Sequence, residues 1–71
     1  VDMSMLVAWS LIGAKLNVGA GNDPSAIAAT LLAADAWLQG VGFASGIKAG
    51  HPSYAAGKGY YEALTAWNSG R

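Results

Sequence analysis

Asp23-Pro24-Ser25-Ala26-Ile27-Ala28-Ala29-Thr30-Leu31-Leu32-Ala33-Ala34-Asp35-Ala36-Trp37-Leu38 is the stretch that decides the fold. It opens on a helix-start signal: Asp23 can accept hydrogen bonds from free amide groups, and Pro24 suits the first helical position, where its missing donor costs nothing. From Ser25 to Leu38 the residues are strong helix formers, mostly alanine and leucine. Ile27, Leu31, Ala34 and Leu38 fall on one stripe at helical spacing, with Trp37 beside it. Asp35 is the only charge after the cap. The sequence therefore predicts a helix buried on most of its sides, the central one of the fold.

Working outward, a second helical pattern precedes it, from Met3 to Asn17. Leu6, Trp9, Ile12 (or Gly13) and Leu16 recur at the three-to-four spacing of one face. Gly13 weakens that helix by roughly 1 kcal/mol relative to alanine, unless a neighbour packs closely there. Val18 to Asn22 reads as a turn. Downstream, Gly40, Gly42, Gly46 and Gly50 break the chain into an ordered loop, with an extended piece around Ala44–Lys48 as one reading. A last helix is expected to begin between Ser53 and Lys58 and to end at Asn68. Tyr60, Leu64 and Trp67 share its inner face, and Gly70 is placed to stop it. The fold class expected is all-α: a small bundle of about three helices with glycine-rich connections.

Composition bounds what such a bundle can do. Seventy-one residues make one domain, 1–71, with a thin core of its own. Small domains usually add disulfides, a metal or a partner surface. With no cysteine, disulfides and thiolate metal sites are excluded. Yet 54% of the residues are apolar and only 11% charged, more apolar than a lone small domain needs. Some of that surface is expected to lie against another protein, copies of the same chain, or a missing part of the same domain. The charges balance and are scattered singly, so no basic stripe offers itself to nucleic acid. Charge-free runs stop at about a dozen residues, short of the roughly 20 that cross a bilayer. The chain begins at Val1, which fits a processed product or an excerpt of a longer polypeptide.

Five blocks carry a resemblance. They are Ala14-Lys15-Leu16-Asn17-Val18, Gly21-Asn22-Asp23-Pro24-Ser25, Ala34-Asp35-Ala36-Trp37-Leu38, Gly42-Phe43-Ala44-Ser45-Gly46-Ile47-Lys48-Ala49, and Leu64-Thr65-Ala66-Trp67-Asn68-Ser69-Gly70. In this order and spacing they resemble a helical module of secreted and surface bacterial proteins, the type with an upstream Pro-Gly-aromatic-Trp…His-Pro segment. The resemblance runs from about Leu6 onward and covers the C-terminal portion of that module. It implies an extracellular or cell-surface location and no catalytic role. No such upstream segment precedes Val1, and His51-Pro52 lies in the wrong place to be it. Ala26 stands where some members carry a cysteine. The resemblance thus implies a truncated or specialised version, the C-terminal part of a larger domain, completed by another chain or by its own copies.

The residues that could carry chemistry each have a plainer use. His51 lies near Ser45 and Ser53, but a nucleophile-base pair also needs an orienting group and an oxyanion site. A turn histidine before a proline explains it. Asn17, Asn22 and Asp23 offer oxygens to calcium, which prefers six to eight, usually with several carboxylates. Only Asp23 supplies one, and capping accounts for it; no cofactor is expected. Gly19-Ala20-Gly21 and Gly57-Lys58-Gly59 lack the remaining residues of phosphate-binding loops. Gly42 and Gly46 match a small-xxx-small spacing outside any membrane-length helix, which suggests close backbone packing.

Seven aromatics remain, of which Trp9, Trp37, Trp67, Phe43, Tyr54 and Tyr61 are the interface candidates. The tryptophans sit on apolar stripes, so core or interface packing is their default. Tyr54 and Tyr61 are the best placed to stack on sugar rings. The sequence thus predicts a non-enzymatic extracellular or surface structural module that associates through apolar and aromatic surface, with self-assembly into a fibre or layer as its sharper form. The rivals are a binding module for glycan or a surface protein, and a membrane-active peptide. Balanced charge argues against the last.

Overall fold

The computed structural model describes residues 2–70, and among them it has three helices and no strand. The first, α1, spans Met3–Gly19 and is started by Asp2, whose carboxylate accepts from the Ser4 amide at 3.0 Å. It ends in a glycine-dependent cap. Asn22 N–H donates to Asn17 O and Gly21 N–H to Val18 O, with Gly21 at φ +101°. That paired pattern satisfies the last free carbonyls and calls for a residue without Cβ at the left-handed position. The helix therefore runs two residues beyond Asn17.

The second helix, α2, spans Ala28–Val41. Here the expected start at Asp23 is corrected. Asp23 Oδ1 accepts from the amide and hydroxyl of Ser25, and Ile27 N–H donates to Pro24 O at 2.9 Å. Asp23 and Pro24 thus shape a separate turn. The chain bends after it, and Ile27, at φ −122°, drops into the core 5% exposed. Burying that side chain outweighs four more helical residues (a fully buried isoleucine is worth about 1.5–3 kcal/mol). At the other end Gly42, at φ +88°, caps α2 by donating to Leu38 O.

The third helix, α3, spans Tyr54–Ser69, starting within the expected window. Gly70 closes it, donating to Ala66 O and Trp67 O. The loop between α2 and α3 has no regular extended structure. It is nevertheless anchored, because Ile47 is 2% exposed and its carbonyl accepts from Met3 N–H at 2.8 Å.

The helices run up, down, up. Met3 packs beside Gly57 and Asn17 bonds Asn68, so α1 and α3 are parallel. Val18 meets Ala28 across a groove, which makes α2 antiparallel to both. The core joins Met3, Val7, Leu11 and Ala14 of α1 to Ile27, Ala34, Ile47 and Leu64. Leu31, Trp37, Leu38, Tyr60 and Trp67 pack around it, so the inner stripes expected for α2 and α3 hold.

Two expectations about burial do not hold. The central helix is α1, with seven buried residues, whereas α2 has only Ala34. The inward face of α1 is also not centred on the Leu6, Trp9, Ile12 and Leu16 stripe, of which Leu6 packs against the core while the other three are exposed. It is centred on the Met3, Val7, Leu11, Ala14 stripe on the opposite side. The two stripes are similarly apolar, so spacing could not choose between them. Buried Ser4 and Ser10 lie on the inward side, each hydrogen-bonded. A pattern that treats serine as outward would reject the right face.

Candidate interaction surface

Because α1 is apolar all round, packing one side leaves the other bare. At 100° per residue, Trp9, Ile12 and Leu16 fall within an arc of about 60°. They are 55%, 57% and 70% exposed. Met5 shares that arc and is partly exposed. A helix of this kind is normally covered on both sides. Exposed leucines scattered singly need no explanation, whereas these three residues form one continuous aromatic-aliphatic stripe.

A second apolar feature lies at the end of the bundle where α1 finishes and α2 begins. Lys15, Val18, Pro24, Ala28, Leu31 and Leu32 line an open groove of about 350 Å³. Pro24 joins its lining from the 20–27 connection, ahead of α2. Lys15 Nζ is engaged with Asp35 Oδ1 at 3.1 Å, an exposed ion pair worth little on its own. At the opposite end, just beyond Val41, Phe43 projects 60% exposed.

The other interface candidates are held inside the bundle. Trp37 Nε1 donates to Ser53 O at 3.1 Å, and its ring meets Tyr60 edge-on at 6.4 Å. The indole lies directly on Gly57, where a Cβ would come within 2.4 Å of Cζ2. Trp67, Tyr54 and Tyr61 are partly buried against the core. Of the six candidates, then, only Trp9 and Phe43 are largely open to a partner, and Tyr54 and Tyr61 do not form an exposed platform.

The polar candidates are committed locally. Asn22 Nδ2 donates to Asn17 O, while Asn17 Nδ2 donates to Asn68 Oδ1 at 3.0 Å. Asn68 Nδ2 in turn reaches Ser10 O and lies over Gly13, 3.2 Å from where a Cβ would stand. Gly13 is therefore a close-packing point between α1 and α3. Asp23 accepts from Ser25 and the Asn17 carbonyl accepts from Asn22, so these two oxygens serve a turn and a helix end. No cluster of three metal-ligating side chains occurs among the described residues. His51 Nδ1 accepts from the Ser53 amide at 3.0 Å, the turn role expected. Ser45 N–H donates to Ser4 Oγ, which ties Ser45 to α1 rather than to the imidazole.

Two features escaped the sequence. One is Asp2, which accepts from Ser4 Oγ at 2.7 Å, Ile47 N–H at 2.9 Å and Gly46 N–H at 3.0 Å besides its capping bond. The Ser4 hydroxyl first, with the Ile47, Gly46 and Ser4 amides, lowers its pKa to about 2. An aspartate two residues before a serine at a helix start is a legible cap; its loop partners, 44 and 45 residues away, are not. The other is the groove, which depends on how the connection bends.

No family model, no curated protein and no solved structure matches this chain. Among the described residues no helix is long and apolar enough to cross a membrane.

Proposed function

We propose that this chain is a non-catalytic structural module of an extracellular or cell-surface protein, and that it works by associating with copies of itself through apolar surface. One observation carries this reading: the outward stripe of Trp9, Ile12 and Leu16 on a helix that is already packed on its other side. The cysteine-free, 71-residue chain has no covalent staple to compensate for a thin core, and covering that stripe supplies what is missing. The surface location rests on the resemblance of its five blocks to a secreted helical module. Attachment to a glycan finds less support, because Tyr54 and Tyr61 lie against the core.

Trp9 is itself the reporter. Acrylamide quenching of tryptophan emission is expected to fall as protein concentration rises, because Trp9 becomes covered. A Trp9→Phe chain should lose most of that dependence, since Trp37 and Trp67 are already partly buried against the core. Quenching that stays constant in the wild-type chain from nanomolar to submillimolar would show that the stripe stays bare.

A further inference from the structure

The groove and Phe43 lie at opposite ends of α2, separated by its 14 residues, or about 20 Å of helix. An open apolar groove at one end of an elongated body and an exposed ring at the other are complementary in kind. The molecule is 36 Å long and under 20 Å across. The groove, at about 350 Å³, has room for a phenyl ring, since an apolar cavity of about 150 Å³ holds benzene. Its lining is almost wholly aliphatic, from Val18, Pro24, Leu31 and Leu32. Phe43 follows a glycine-capped helix end in a loop that Ile47 anchors, so the ring is presented by a fixed support.

Charge points the same way. Lys48 and Lys58 lie at the Phe43 end, both exposed and, among the described residues, without an ion-pair partner. The Asp2 carboxylate offsets one of these charges and leaves that end net positive among the described residues. At the groove end Lys15 and Asp35 offset each other, and the exposed Asp23, bonded to Ser25, adds one negative charge. A copy approaching head to tail therefore brings lysine toward aspartate as the ring meets the groove. Approach of two like ends would bring lysines together.

From these observations we propose that copies of this chain stack head to tail, Phe43 of one seated in the Val18-Pro24-Leu31-Leu32 groove of the next. This deepens the self-association reading above and rests on it. The contact is heterologous: the two surfaces differ, so repetition gives an open chain or a ring rather than a closed two-fold dimer. One ring buries at most about 150–250 Å². That is well below the ~800 Å² per partner of a stable interface. A single end-to-end contact is accordingly weak, and the Trp9 stripe, covered side by side, supplies the remaining area.

Complementation separates the two contacts. One chain carries Phe43→Ala with its groove intact; the other carries Leu32→Asp, which sets a carboxylate in the apolar groove lining and leaves Phe43. Both positions are exposed, and circular dichroism checks the folds. Phe43→Ser and Leu32→Glu provide an independent second pair. Fluorescently labelled chains are titrated in the three combinations. The mixed pair should bind at least tenfold more tightly than either variant binds itself, because only the mixture retains one ring and one open groove. Equal affinities in all three, with association intact, would overturn head-to-tail stacking while leaving the stripe-mediated reading in place. A wild-type chain that stays monomeric throughout would overturn both.

Discussion

Gly57 shows how a residue's meaning changes once its neighbours are known. In the sequence it is a helix-weakening glycine between alanine and lysine. In the fold it is the floor on which the Trp37 indole rests, and Met3 closes the third side. Gly57→Ala improves helix propensity by about 1 kcal/mol. It also forces the indole off its site, an overpacking cost of about 1–3 kcal/mol. A net loss is expected, read as a lower melting temperature with a shift in Trp37 emission; an unchanged or higher temperature would mean that the ring is free to move. Asp2 gives a second residue-scale prediction. Its folded pKa, about 2, lies below the ordinary carboxylate value of about 3.9. A lowered carboxylate pKa adds stability that is complete above about pH 4 and lost as pH falls through 2. Asp23, lowered by its Ser25 hydroxyl bond, adds in the same direction. The urea midpoint of the wild-type chain should therefore exceed that of Asp2→Asn at neutral pH, and the difference should shrink toward pH 2. A difference independent of pH would assign the role of Asp2 to something other than its charge.

At the scale of the elements, α2 and α3 were largely legible and α1 was legible only in part. The stripe Ile27-Leu31-Ala34-Leu38 and the stripe Tyr60-Leu64-Trp67 both face the core; polar residues on the other sides set the phase of α3, and alanines mostly fill the opposite side of α2. The existence and length of α1 could be read, but not its phase, since apolar residues lie on both sides and serines line the buried one. Leu11 and Ile12, adjacent in sequence, test the observed phase directly. Leu11→Ala should cost about 2–4 kcal/mol, whereas Ile12→Ala, on the open face, should cost under about 0.5 kcal/mol in the dilute monomer. Similar losses at both positions would contradict the assigned faces. The α2–α3 loop was readable as ordered from its glycines, yet Ile47 as its anchor was not. Ala44 there is the one described non-glycine residue at positive φ, +58°. Ala44→Gly should relieve left-handed strain and raise stability by about 0.5–1 kcal/mol, or about 4–8 °C per kcal/mol for a domain of this size. A loss instead would place the loop in another conformation.

For the whole molecule, the informative quantity is the mismatch between what three short helices can enclose and what the chain makes apolar. A bundle under 20 Å across has only one interior, which Met3, Val7, Leu11, Ala14, Ile27, Ala34, Ile47 and Leu64 fill. Trp9, Ile12, Leu16, Leu32 and Phe43 have no place in it. That surplus was visible in the composition; which residues form it was not, because this depended on the phase of α1 and on the bend before Ala28. That surplus is the proposed working surface. Sedimentation velocity of the wild-type chain across a hundredfold range of concentration, beside a Trp9→Ser, Ile12→Ser, Leu16→Ser chain, tests this most directly. The prediction is that the wild-type sedimentation coefficient rises with concentration while the triple variant stays a folded monomer. A wild-type chain that remains monomeric over the whole range, or a triple variant that assembles equally well, would contradict it.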